Sequence, residues 1–218
     1  MDPTAQPVVT SAIDSIPLIA VPVLNRGDLL RRLVHSIDKP VSCLLIINNG
    51  RDPGVAEALD EWQRNRLEFV GELRIVTPRC NLGVAASWNL AIRQLLMDGL
   101  PYMIVVGSDI CFMPGDLEIF HRSYDPSIAI KCGNHGYSLF SLTAKAIDVV
   151  GFFDENFYPA YLEDCDYQYR LKLAGLESIN LVEIRATHGD SHLTGSCTIQ
   201  SDPELFREIG RASYRERV

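Results

Sequence analysis

Over residues 16–106 the sequence alternates short apolar runs with amphipathic stretches, and few folds accept that order. The runs are 16–24 (IPLIAVPVL), 43–47 (CLLII), 73–76 (LRIV) and 102–106 (YMIVV). Runs of this length, almost entirely apolar, suit strands buried on both faces. Between them, Leu29, Leu30, Leu33, Val34 and Ile37 fall on one helical face, and so do Val55, Ala58, Leu59 and Trp62. Residues 83–97 form a third helix, with Val84, Trp88, Ala91 and Leu95 facing the core. Asp28 is placed to cap the first helix, and Pro40 lies just past its end. Strand–helix alternation implies a largely parallel sheet covered by helices on both faces. In such sheets ligands bind beyond the carboxyl ends of the strands. Those ends carry Asn25, Asn48, Asn49, Asn81 and Asp109.

The second half is less regular. Residues 127–131 and 137–142 read as strands and 144–150 as a short helix. An aromatic loop begins at Gly151 (GFFDE), and a helix runs from residue 161 or 162 to 174, stopped by Gly175. A strand at 178–184 and a polar helix at 203–217 follow. With no repeat, low-complexity tract or linker, the expected organisation is a polar arm at 1–15, a single domain at 16–200 and a C-terminal helix at 201–218.

The chain of 218 residues carries a net charge of −8. This argues against nucleic acid as a partner, which calls for clustered Lys and Arg. It leaves room for a small phosphate ligand, because a metal ion or helix N-terminus can supply local positive field. No apolar run reaches the ~18 residues of a membrane span, and the acidic start is unlike a secretory signal. The six cysteines form no C-x-x-C pair. They are expected to be reduced, in a cytoplasmic protein.

Three segments carry chemistry. Residues 158–175 (YPAYLEDCDYQYRLKLAG) place Glu163, Asp164 and Asp166 in the first turn of a helix, where the dipole stabilises negative charge. Asp166 and Arg170 read as an i,i+4 ion pair. Asp164 follows Phe157, Tyr158 and Tyr161, and desolvation there opposes the dipole, a setting for a general base. Gly107-Ser108-Asp109 ends the fourth strand, where a carboxylate can hold a divalent metal that bridges two phosphates. His188, in THGDSH, follows a strand and can ligate a metal. A loop histidine alone, however, is more often a hydrogen-bonding residue.

Together these segments resemble the GT-A glycosyltransferases, specifically the large inverting family 2 and its rhamnosyltransferase-like members. The resemblance runs from about residue 16 to 192. It rests on IPLIAVPVLNRGDLLRRLVHSI, LLIINNG, RCNLGVAASWNLAI and VVGSDICFMPGDL, and most specifically on GFFDENFYPAYLEDCDYQYRLKLAG. It implies a three-layer α/β/α, Rossmann-like domain with a mostly parallel mixed sheet. It also implies sugar transfer from a UDP- or dTDP-type donor to a hydroxyl of a glycan or other acceptor. Asp164 would be the base, beside Glu163. Asp109 and His188 would hold Mn2+ or Mg2+ on the diphosphate. Pro22, Val23 and Asn25 would line the nucleotide site, with Asn48 or Asn49 at the base edge. Asn81, Gly83 and Val84 would lie beside the ribose or sugar, and Ser108 in the donor pocket. Gly107 stands where the family's first D-x-D acid stands, so one carboxylate remains. Asn48-Asn49 stands where Asp often meets the nucleobase.

Two rivals share parts of this pattern. A sugar-phosphate nucleotidyltransferase has a similar core but a Gly-rich, Arg-containing loop after the first strand, unlike VPVLNRGD. A non-catalytic domain that binds a nucleotide sugar or glycan is motivated by Gly107.

Overall fold

The computed structural model describes residues 14–176 and 178–189. The expected C-terminal helix and nearly all of the expected arm lie outside the described residues. In chain order the elements are β1 (Ile16–Val23), α1 (Gly27–His35), β2 (Val41–Asn48), α2 (Pro53–Arg64), β3 (Val70–Val76), α3 (Gly83–Met97) and β4 (Tyr102–Val106). There follow β5 (Ile110–Cys111), α4 (Asp116–Arg122), β6 (Ile130–Gly133), β7 (Gly136–Thr143), α5 (Ala144–Val150), α6 (Glu163–Leu173), β8 (Ser178–Asn180) and β9 (Thr187–His188).

Seven strands form one sheet in the order β3-β2-β1-β4-β7-β6-β8, and β5 pairs with β9 in a separate ribbon. β1, β2, β3 and β4 are mutually parallel, β7 is antiparallel to β4 and β6, and β8 is parallel to β6. Alternate residues of each strand serve opposite faces. Ile19, Val21, Leu44, Ile46 and Ile104 pack with α1, α2 and α4, through Leu30, Leu33, Val55, Trp62 and Phe120. Leu18, Ala20, Leu45, Ile47 and Met103 pack with α3, α5 and α6, through Trp88, Ile92, Ile147 and Tyr167. Both faces are covered, as the apolar runs required, and the three layers are α/β/α.

Several boundaries moved. The strand expected at 127–131 begins only at Ile130, and that expected at 178–184 ends at Asn180. Asp28 does not cap α1. The helix starts at Gly27, and its N-cap, Arg26, is left-handed (φ 63°) with no side-chain cap bond. Gly27 packs directly on the start of α2, where an added Cβ would lie 2.2 Å from the Gly54 carbonyl carbon. That contact sets the entry point of the helix, so Asp28 falls inside the first turn. Its carboxylate instead accepts from the Arg26 guanidinium at 2.8 and 2.7 Å, which pulls its pKa down to about 2.

The chain order explains where a ligand belongs. After β3 the chain returns to the other side of β1 to lay down β4, so the connections leave β1 and β4 in opposite senses. A crevice opens at such a switch point. The β1–β2 ladder continues to Val23–Asn48, whereas β1–β4 registers only Ile19–Ile104 and Ala20–Val105. Pro22, which has no N–H to donate, lies just past that last pair.

Candidate active site

The end of β1 lies at the switch point of the sheet. Val23 is buried, and Pro22 and Asn25 are half-buried. Arg26 adds a cation that sequence reasoning did not single out. Its guanidinium is held by Asp28, and the charges of Asp109 and Asp52 reinforce its positive state. Its left-handed backbone is uncommon for a residue with a Cβ, and such conformations concentrate at functional sites.

At the end of β2, Asn48 is buried and its Oδ1 accepts from the Gly50 N–H at 3.3 Å. Asn49 is occupied structurally. Its Nδ2 donates to Ser87 Oγ (2.8 Å), and its Oδ1 accepts from the Leu82 N–H (3.2 Å). Asn81 Oδ1 accepts from the Gly83 N–H at 2.9 Å, and the Val84 N–H donates to the Pro159 carbonyl at 2.8 Å. The first amides of α3 are therefore engaged within the protein. Gly83 has φ +78°, and a Cβ there would stand 2.8 Å from the Pro159 carbonyl oxygen. Through Asn49, Gly83 and Val84, the expected donor-side residues lock the start of α3 between the end of β2 and the approach to α6.

The two expected metal ligands come together. Asp109 closes the turn after β4. β5 then pairs antiparallel with β9, with Ile110 opposite His188, and the Gly189 N–H donates to the Asp109 carbonyl at 2.6 Å. This places His188 Nδ1 3.5 Å from Asp109 Oδ2, and both side chains are largely buried. Two cis ligand atoms on a Mg2+-type octahedral ion, with bonds of roughly 2.0–2.1 Å, lie about 3 Å apart. The pair, at 3.5 Å, has to close by about 0.5 Å to share one such ion. Among the described residues no group of three or more His, Cys, Asp or Glu is placed to hold a metal. A divalent ion here would take two protein ligands and complete its shell with phosphate oxygens and water, as Mg2+-type sites do. Ser108 is half-buried in the same turn. Gly107, where an acid was expected, sits against its neighbour: an added Cβ would be 3.2 Å from Asp109 Oδ1.

The acids of α6 are sorted by burial. Glu163 is 5% exposed, and its Oε2 has no hydrogen-bond partner. Burial pushes its pKa up to about 7, with the Asp164 charge adding to the rise. Asp164 is half-buried, and its Oδ1 accepts from the Cys165 N–H at 2.8 Å. Asp166 is buried and bonds Arg170 Nε at 2.9 Å, the expected i,i+4 pair. The segment that aims these acids is strained: Tyr161 (φ 80°) and Leu162 (φ 74°) are consecutive left-handed residues with side chains. Such conformations cost about 1–3 kcal/mol each.

The hairpin of β6 and β7 packs against the turn that carries Asp109. The Gly107 N–H donates to the Ser138 carbonyl at 2.8 Å. The neighbouring Tyr137 hydroxyl is raised in pKa by burial and, among other charges, by Asp164. His135 lies on the other side, its ring centroid 5.4 Å from that of His188. A further structural residue, Asn89, was not foreseen. Buried in α3, it donates to the Phe153 carbonyl (2.9 Å) and to Glu155 (2.8 Å) and accepts from the Phe153 N–H (2.8 Å). It thereby fixes the Phe-Asp-Glu loop ahead of α6.

The model of glycosyl transferase family 2 matches residues 18–134, more than half of the chain, and the protein belongs to that family. A galactofuranosyl glycosyltransferase from Leishmania donovani is 24% identical over 74% of this chain and 54% of its own length. The chain thus spans about half of that relative. A mannosyltransferase from Pyrobaculum calidifontis, solved with GDP-Man and Mn2+, superimposes with a TM-score of 0.62 at 14% identity. It covers 79% of this chain and 56% of its own. GalNAc-T7, solved with UDP, GalNAc and Mn2+, gives 0.64 at 12% identity, over 81% of this chain and 44% of its own. The fold is the GT-A arrangement. Among the described residues no helix is long and apolar enough to cross a membrane, and Cys43, Cys80, Cys111, Cys132 and Cys165 are free thiols.

Proposed function

We propose that this chain transfers a sugar from a UDP- or dTDP-type nucleotide sugar to a hydroxyl of a glycan or other acceptor, with inversion at the anomeric carbon. Beyond family membership, one observation carries the reading. β5 pairs with β9 just beyond β4, which brings His188 Nδ1 to 3.5 Å from Asp109 Oδ2, the pair that the family resemblance assigns to a metal on the diphosphate.

The acceptor oxygen attacks the anomeric carbon while Asp164 takes its proton. The bond from that carbon to the diphosphate breaks, and the nucleoside diphosphate leaves with the electron pair. Asp164 suits the base role because it is half-buried and open to a ligand, whereas Glu163 faces inward. Asp109 and His188 would hold Mn2+ or Mg2+, which supplies neutralising charge for the departing diphosphate. Pro22, Val23, Asn25, Asn48 and Asn49 border the nucleotide, and Asn81, Gly83, Val84 and Ser108 the sugar side. Mn2+ in the solved mannosyltransferase and GalNAc-T7 complexes supports the metal assignment. A positioned base contributes about 10²–10⁴-fold.

The test is a panel of nucleotide sugars with Mn2+, scored for binding and for release of nucleoside diphosphate. Asp164→Asn is expected to abolish transfer and keep donor binding; wild-type transfer by this variant would remove Asp164 from the base role. Tight donor binding with no turnover on any acceptor or water would favour the non-catalytic binding domain, which Gly107 motivates.

A further inference from the structure

We infer that Asn134 and His135 are positioning residues, which set the distance between His188 and Asp109 by clamping the strand that carries His188. The inference rests on the metal assignment above. Asn134 Nδ2 and His135 Nε2 both lie 2.8 Å from the carbonyl oxygen of Ala186, two residues before His188. A carbonyl oxygen has two lone pairs and accepts both donors. His135 Nε2 also lies 3.3 Å from Asn134 Nδ2; with the proton on Nε2 the shorter contact to the carbonyl is the hydrogen bond.

The rest of the segment is held with equal care. The Arg185 N–H donates at 3.0 Å to Asp116 Oδ1, and the other oxygen of that fully buried carboxylate accepts from the Met113 N–H at 2.8 Å. Downstream, Gly189 bonds the Asp109 carbonyl, and an added Cβ there would stand 2.8 Å from that oxygen and 3.1 Å from Arg32. β9 itself is only two residues long, with two register pairs to β5. So short a ribbon does not hold its own geometry. The position of His188 is therefore set by side chains from elsewhere in the chain, and the Asn134–His135 turn supplies two of those bonds at one atom. Groups that orient a metal ligand typically affect affinity 10–100-fold when removed.

The experiment uses the full chain and Mn2+. Free Mn2+ is followed by its paramagnetic resonance signal during titration, with and without UDP. Backbone amide deuterium exchange is measured over residues 184–189. The variants are Asn134→Leu/His135→Phe, which removes both donors, and His135→Gln, which keeps one. Asp109→Ala reports on the metal reading alone. The double variant is expected to weaken Mn2+ binding at least 10-fold and to speed exchange at Gly189, with exchange in α3 unchanged. His135→Gln should recover most of the affinity. Mn2+ affinity within twofold of wild type, together with unaltered exchange at Gly189, would overturn the clamp. If Asp109→Ala leaves Mn2+ binding unchanged, the metal reading falls, and exchange at Gly189 still decides whether the turn positions His188. Loss of α3 protection in the double variant would show a general unfolding and overturn the local role.

Discussion

Glu163→Gln offers a test in which pH separates the effect from ordinary mutational noise. Glu163 is buried with an unpartnered oxygen, and its pKa stands at about 7 against the ordinary 4.5. Below pH 4.5 the carboxyl is neutral in both the folded and the unfolded chain, and burial carries no charge penalty. Between 4.5 and about 7 the unfolded chain ionises while the folded one keeps its proton. The folded state then binds more protons, so stability falls as pH rises. Above about 7 both states are ionised and the whole penalty remains. At about 1.4 kcal/mol for each tenfold change, this gap amounts to about 3 kcal/mol. Glutamine has nearly the same shape and no charge, so the variant escapes the penalty at every pH. Urea denaturation of both proteins at pH 5 and pH 8.5 measures the difference. The stability of Glu163→Gln relative to wild type should increase by about 2–3 kcal/mol from the lower pH to the higher, allowing for partial ionisation at pH 5. In melting temperature this is about 4–12 °C for a chain of this size. An equal difference at both pH values would refute the reasoning, because a packing or hydrogen-bond change alone does not follow this titration.

Gly83→Ala should destabilise the protein by about 2 kcal/mol or more, since it places a Cβ at φ +78° against the Pro159 carbonyl; a change below 0.5 kcal/mol in urea denaturation, roughly the noise for a surface site, would contradict it. Asn89→Leu leaves the buried Phe153 N–H and carbonyl without Asn89 and should cost about 2–4 kcal/mol, read by the same method; a neutral outcome would show that the loop finds other partners. Gly107→Asp restores the acid of the family pattern but presses on Asp109 Oδ1 at 3.2 Å, so calorimetry should find Mn2+ binding no tighter than wild type; clearly tighter binding would show that Asp109 turns aside readily.

What the sequence revealed follows the range of the interactions involved. α3, β4 and α5 were legible to the residue, because their apolar positions repeat with the period of the element itself. β5 and β9 were not, being two residues each and too short for any period. α4 was missed although Gly115 and the spacing of Leu117 and Phe120 announce it. The acids of α6 were visible as a cluster, but their sorting was not. Glu163 and Asp164 are neighbours in one helical turn, and only the packing of the aromatic loop decides which is enclosed. Asn89 reads in the sequence as one more polar residue on a helix. Its three bonds reach residues 64 and 66 positions away, and no local pattern marks them.

The same contrast bears on how the site is built. Asp109 and His188 are 79 residues apart in the chain, and neither residue's surroundings in sequence indicate the other. They meet because β4 ends at the switch point of the sheet and β9 returns to pair with the strand just beyond it. Ahead of Glu163 and Asp164, Tyr161 and Leu162 hold left-handed conformations. Strain of that kind persists only where surrounding contacts over-determine the backbone. Here those contacts include the Val84–Pro159 bond and the three bonds of Asn89, all from α3. α3 therefore carries the geometry of the α6 acids, and its own start is fixed by Asn49 at the end of β2. A displacement at the end of β2 is thus transmitted through packed α3 contacts to the segment ahead of Asp164. Shortening Asn49 to Ala should consequently lower transfer through kcat as well as KM, and a pure KM effect would confine Asn49 to donor binding.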